Sequence, residues 1–235
     1  MSLKPVEHVF HDREALAEVL AQAVATNLDE AATTRATAIL ALSGGTTPAL
    51  FMRRLAAKRI KWSNVVVTLC DERWVPPTHV RSNARLVREN LLQGPAAAAR
   101  FEPLYVDVVD PESALESITR RIDALASPFD VAVLGLGLDG HTASWFPCGD
   151  RLAQALDPNA KASVLPMRAP DAGEPRITLT LPVIAAARHL YLQIEGADKQ
   201  DVFGRIMRGE GAMAASPLRT LIQHAVTPLE VYWSA

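Results

Sequence analysis

Apolar runs of strand length recur along the chain at 36–42, 64–69, 130–135 and 189–194, with a late one at 230–233. Small or polar residues follow each of the first four, and then a stretch with helical spacing of apolar positions, which is the rhythm of βα units. The amphipathic stretches predict helices over 12–32, 48–59, 83–92, 112–126, 179–187, 197–208 and 217–223. The runs VVVTL at 65–69 and VAVLGLG at 131–137 carry no polar alternation, as parallel strands covered on both faces require. The pattern therefore predicts an α/β fold with a mainly parallel sheet. Segments 93–100 and 157–174 read as loops or excursions from the sheet, not as linkers, and no repeat of 20–50 residues is visible, so 1–235 is read as a single domain.

Composition sharpens this in three respects. The 38 alanines against 13 aromatic residues favour close-packed helices over an all-β architecture. With 49% hydrophobic and 21% charged residues the chain is an ordinary globular sequence, which excludes disordered, collagenous and coiled-coil readings. A net charge of −2 offers no bulk attraction to nucleic acid or an anionic membrane, so an anionic ligand has to be held locally. Cys70 and Cys148 form no CxxC pair and read as small buried hydrophobes, with neither a disulfide framework nor a thiolate metal site implied. Glu7, Asp12, Arg13, Glu14 and Glu18 fall where a signal peptide needs apolar residues, and nowhere do 18 apolar residues run together. A cytoplasmic protein with no membrane segment is expected.

In an open α/β sheet, ligands bind beyond the carboxyl ends of the strands. Four post-strand segments carry unusual residues: SGGTTP at 43–48, DERWVP at 71–76, GLGLDGH at 135–141 and EGADK at 195–199. Their convergence on one sheet edge is the central expectation. Ser43, Gly44, Gly45, Thr46 and Thr47 combine hydroxyls with two residues lacking Cβ, and Pro48 suits the first helical position, so the segment reads as a phosphate cradle at a helix N-terminus. Its plainer reading is a strand-to-helix turn capped by Thr46 or Thr47. No lysine follows the glycines as in a Walker A loop, and Ala41 breaks GxSxG.

Gly135, Gly137 and Gly140 satisfy GxGxxG, but Asp139 would face the pyrophosphate and repel it, so no dinucleotide cofactor is expected. His141 ends that loop two residues from Asp139 and is the side chain best matched to proton transfer near neutral pH; its plainer reading is a structural hydrogen bonder. Asp71, Glu72 and Arg73 read either as a solvated turn or as a fixed cation oriented by a carboxylate. Ser82 and Asn83 cap the next helix and lie close enough to fold over the site. Arg176, just before a predicted helix, and Lys199 are ordinary surface charges taken singly; they gain meaning because a phosphate cradle needs counter-charges.

Taken together, LSGGTTP, DERWVP with SN after it, GLGLDGHTASWFP, RITLT and GADK, in this order and over nearly the whole chain, resemble the 6-phosphogluconolactonase family. The resemblance implies a modified Rossmann-like three-layer sandwich, related to glucosamine-6-phosphate deaminase and ribose-5-phosphate isomerase, with no nucleotide, metal or other cofactor. It implies hydrolysis of a phosphorylated δ-lactone of the pentose phosphate pathway, with a small sugar phosphate as ligand and a monomer or small homo-oligomer as the working form. By the same resemblance His141 is the general base beside Asp139, Arg73 lies at the reacting end with Asp71, and Ser43, Gly44, Gly45, Thr46, Thr47, Arg176 and Lys199 surround the phosphate.

The deaminase is the nearest alternative. It shares SGG, DE and DGH, but has tyrosine after DE and a catalytic glutamate five residues after the histidine, where this chain has Arg73 and Phe146. A non-catalytic sugar-phosphate-binding domain is a further alternative, although no helix-turn-helix or basic patch accompanies it. Trp145 in place of a commoner leucine, and Thr46 in place of arginine or serine, are the departures from the family pattern.

Overall fold

The structure is a computed structural model that describes residues 3–170 and 172–235. Ten strands are present among these residues: β1 (Val6–Phe10), β2 (Ala38–Leu42), β3 (Val65–Leu69), β4 (Asp71–Arg73), β5 (Arg100–Phe101), β6 (Val131–Leu134), β7 (Val164–Met167), β8 (Arg176–Leu179), β9 (His189–Glu195) and β10 (Leu229–Ser234). Seven of them form one sheet in the order β1-β10-β9-β6-β2-β3-β5, with every pairing parallel. Every residue of β2, β3 and β6 is buried, so both faces of the sheet are covered, which is why these runs lack polar alternation. The helices are α1 (Arg13–Thr34), α2 (Pro48–Ala56), α3 (Asn83–Asn90), α4 (Pro111–Asp123), α5 (Leu152–Ala155), α6 (Leu181–Ala185), α7 (Ala197–Arg208) and α8 (Pro217–His224).

Local chemistry sets the helix starts. Asp12 caps α1 by accepting from the Ala15 N–H at 2.7 Å, and Leu16, Leu20, Val24 and Leu28 then bury one stripe at four-residue spacing. Each fully buried leucine there contributes about 2 kcal/mol of transfer free energy. Asp110 and Ser82 cap α4 and α3 in the same way, the latter as expected. Among the described residues, no helix is long and apolar enough to cross a membrane.

From β2 the chain moves outward to β3 and β5, and then returns to β6 on the other side of β2. The strand order therefore reverses between β2 and β6, and the crevice this leaves lies at their carboxyl ends, where 43–47 and 135–141 emerge.

The second sheet departs from the expectation. DER is not a turn but the strand β4, which pairs antiparallel with β8, and β8 pairs with β7. The predicted helix over 179–187 is in fact β8 followed by the short α6, and β7 lies inside the segment read as loop. Four-residue apolar runs carry too little periodicity to separate strand from helix. Pro166 in β7 argues against a strand by composition, but β7 lies at the sheet edge, where a missing N–H is tolerated. The edge strands β1 and β5 were likewise not expected; β1 is largely exposed, so it lacks an apolar run. Cys70 is buried, as expected, but Cys148 is exposed.

Candidate active site

A cleft of about 330 Å³ opens at the carboxyl ends of β2 and β6. All of the expected site residues line it except Asp139, which stands beside His141. Of EGADK, Lys199 alone reaches the cleft.

The 43–47 segment forms one wall. Gly45 has φ +106°, which a side chain would strain, and a Cβ on Gly44 would lie 1.8 Å from Oδ1 of Asn83. Gly45 is thus required by the backbone path and Gly44 by the close approach of the Asn83 side chain. Thr47, at the helix boundary, is already αR and makes no side-chain cap, so its hydroxyl does not play the plainer capping role. It accepts instead from Nζ of Lys199 at 3.4 Å. The hydroxyl of Ser43 is buried and has no partner among the described residues.

A second wall is the β4–β8 pair. Glu72 is fully buried and accepts from Ser82 Oγ and from the N–H groups of Arg73, Asn83 and Ala84 at 2.7–3.1 Å. Burial pushes its carboxyl above the usual range, and the main-chain donors oppose that shift. Asp71 accepts from Ser144 Oγ at 2.5 Å and lies 3.4 Å from Nδ2 of Asn83, which tethers the histidine loop and α3 to β4.

Arg73 and Arg176 are direct cross-strand partners. Each donates to a loop carbonyl, Arg73 to that of Arg81 at 2.6 Å and Arg176 to that of Ala172 at 2.7 Å, and each keeps a buried Nε with no hydrogen-bond partner among the described residues. Burial draws the Arg176 pKa down, with Asp71 opposing. Like charges directly opposite destabilise a sheet, and buried donors want acceptors, so this wall calls for anionic groups in the cleft. Lys199 adds a third cation whose pKa burial also lowers, against the pull of Glu195.

The third wall is the loop after β6. Gly140, at φ +85°, turns the chain so that Oδ1 of Asp139 meets both the main-chain N–H of His141, at 3.1 Å, and its ring Nδ1, at 2.5 Å. A carboxylate accepts, so Nδ1 carries the proton in the neutral ring and Nε2 is left with its lone pair. Burial would raise the Asp139 carboxyl, but its bonds to His141 outweigh this and hold it below the usual range. Phe146 packs against the imidazole, with ring centroids 4.7 Å apart, and lies 5.5 Å from the guanidinium carbon of Arg176. Trp145 is fully buried and donates from Nε1 to the Leu179 carbonyl at 2.9 Å, so its bulk props the loop from behind.

Sequence reasoning missed Gln193 and Ser144. Gln193 had a readable signal, a carboxamide inside an apolar strand, whereas Ser144 had none.

The model of the glucosamine-6-phosphate isomerases/6-phosphogluconolactonase family matches residues 11–233. The chain belongs to this family. A 6-phosphogluconolactonase of Rhizobium meliloti is 47% identical over 227 residues, covering 97% of each chain. The crystal structure of a 6-phosphogluconolactonase from Shewanella baltica superposes with a TM-score of 0.94 at 38% identity, over the whole of both chains. A monomeric glucosamine-6-phosphate deaminase shares the fold, with a TM-score of 0.77 at 17% identity, over 99% of this chain and 97% of its own. The expected α/β sandwich and family membership both stand.

Proposed function

We propose that this cleft hydrolyses 6-phospho-D-glucono-1,5-lactone to 6-phospho-D-gluconate, as a 6-phosphogluconolactonase of the oxidative pentose phosphate pathway. The observation that carries the reading is the Asp139–His141 bond, which leaves Nε2 of the ring as a base in a cleft that also presents Arg73, Arg176, Lys199 and the 43–47 glycine loop. The 43–47 segment, Arg176 and Lys199 take the phosphate, which sets the lactone carbonyl beside a water at His141.

Nε2 removes a proton from that water as its oxygen adds to the carbonyl carbon. Charge develops on the carbonyl oxygen, and the Arg73 guanidinium, fixed by the Arg81 carbonyl, stabilises it. The tetrahedral centre collapses with cleavage of the bond to the ring oxygen, and the imidazolium returns the proton to that oxygen. Asp71 is fully engaged by Ser144 and Asn83 and acts by holding the wall in place.

The deaminase reading is disfavoured by Phe146, whose apolar ring provides no proton-transferring group against His141. With a net charge of −2, the protein is read as having no nucleic-acid partner, and as working in the cytoplasm as one domain, monomeric or in a small homo-oligomer. Supplying the lactone and glucosamine 6-phosphate separately tests the function: proton release with the first and no ammonia from the second is expected. Ammonia release, or no acceleration over spontaneous lactone opening, overturns it.

A further inference from the structure

Gln193 interrupts an otherwise apolar stretch of β9 and is 2% exposed. Its Nε2 lies 3.4 Å from the main-chain oxygen of Thr47 and 3.2 Å from Oε1 of Glu195. Both partners are pure acceptors, so the amide has one sensible orientation, with its NH2 group turned to them. Oε1 is then left buried without a donor among the described residues. A leucine of similar volume would fill this place without an orphaned buried amide oxygen, at the cost of two long hydrogen bonds of 3.2 and 3.4 Å, so packing alone does not account for the residue.

Its position does. Thr47 is held twice from the same side, by Gln193 at its carbonyl and by Lys199 at its hydroxyl, the latter across 3.4 Å. Thr47 closes the 43–47 segment and leads directly into α2, so fixing its carbonyl fixes the loop's main-chain N–H groups relative to the Lys199 ammonium. The same amide also engages the Glu195 carboxylate, whose other oxygen lies 3.8 Å from Arg13 on α1. An acidic group near an anion site is thereby turned toward donors of its own.

We propose that Gln193 is a positioning residue for the phosphate end of the cleft, setting the loop and Lys199 in register and holding Glu195 off the anion. This deepens the function proposed above and rests on it. The test is Gln193→Leu, with Gln193→Met as a second, more adaptable replacement should the first fail to fold. Both are assayed on the phosphorylated lactone and on unphosphorylated glucono-δ-lactone.

With one or two hydrogen bonds removed, KM for the phosphorylated lactone is expected to rise about five- to tenfold, with kcat within about twofold. The kcat/KM for the unphosphorylated lactone stays level, so the preference for phosphate shrinks by the same factor. An unchanged KM overturns the proposal, and so does an equal loss on both lactones, which a merely structural role would give. Failure of the unmutated enzyme to hydrolyse the phosphorylated lactone is a different result, and overturns the function itself.

Discussion

Oδ1 of Asp139 accepts from both nitrogens that His141 can present to it, the ring Nδ1 at 2.5 Å and the main-chain N–H at 3.1 Å. One carboxylate oxygen thus sets the orientation of the imidazole and its tautomer together. Removing the base outright, in His141→Ala, is expected to lower kcat by about 10²–10⁴-fold. Asp139→Asn presents an amide that can donate to Nδ1 and favours the wrong tautomer, so kcat falls by at least about tenfold with KM little changed. Steady-state kinetics at pH 7 check both, and a kcat for His141→Ala within a few-fold of the parent removes the histidine from the mechanism.

Gly137 faces that ring. A Cβ at this position would stand 2.2 Å from Nδ1 of His141 and 2.6 Å from Oδ1 of Asp139, so Gly137→Ala has to push the pair apart. Misplacing a reacting group by about 1 Å costs on the order of 10²-fold in rate. The expected result is a kcat loss of about that size while far-UV circular dichroism remains that of the parent. Retention of full kcat would show that the ring is not needed where it stands.

Lys199 is expected to give the pH dependence its alkaline limb. Burial lowers its pKa from the ordinary lysine value, so its ammonium is fully charged at low pH and is lost, as pH rises, earlier than on an exposed lysine. Affinity for the product 6-phosphogluconate, measured as a competitive inhibition constant, should therefore weaken on the alkaline side before pH 10.5 is reached. Lys199→Arg keeps the charge and should flatten that limb. An inhibition constant that weakens identically in both proteins would assign the limb to another group.

Ser144, fully buried, reaches Asp71, itself nearly buried at the cleft wall, across 2.5 Å. Ser144→Ala leaves that carboxylate oxygen without its hydroxyl donor and is expected to cost about 1–3 kcal/mol of stability, read from denaturant midpoints. Because the bond ties the histidine loop to β4, kcat should fall as well. A variant as stable and as fast as the parent would show that the tether is idle.

The parallel sheet was legible because β2 and β6 are wholly apolar and β3 and β9 are apolar inside except for Thr68 and Gln193, the pattern of parallel strands covered on both faces. The site was legible because ligands gather at strand ends, which made the segments after those four strands the ones to read. What escaped was built from pieces too short to have a period. β4 is three residues long and all of them are charged, so nothing marks it as a strand until β8 pairs with it. Glu72 looked like one member of a solvated triplet, and only the fold supplies the donors that bury it. Ser144 and Asp71 are 73 residues apart, and a contact of that separation exists only once both sheets are assembled.

The Glu72 carboxylate has one more effect. By accepting the N–H groups of Asn83 and Ala84 it stoppers the positive end of α3 from within, while the start of α2, with no side-chain cap, is left unplugged. Three helices, α2, α3 and α7, begin beside this cleft, and among the described residues α3 alone has its start closed by side chains, while α2 and α7 have no side-chain cap. On the proposed function, a doubly charged tail is therefore expected to settle at the α2 and α7 end and not at α3, which sets which way round the sugar lies.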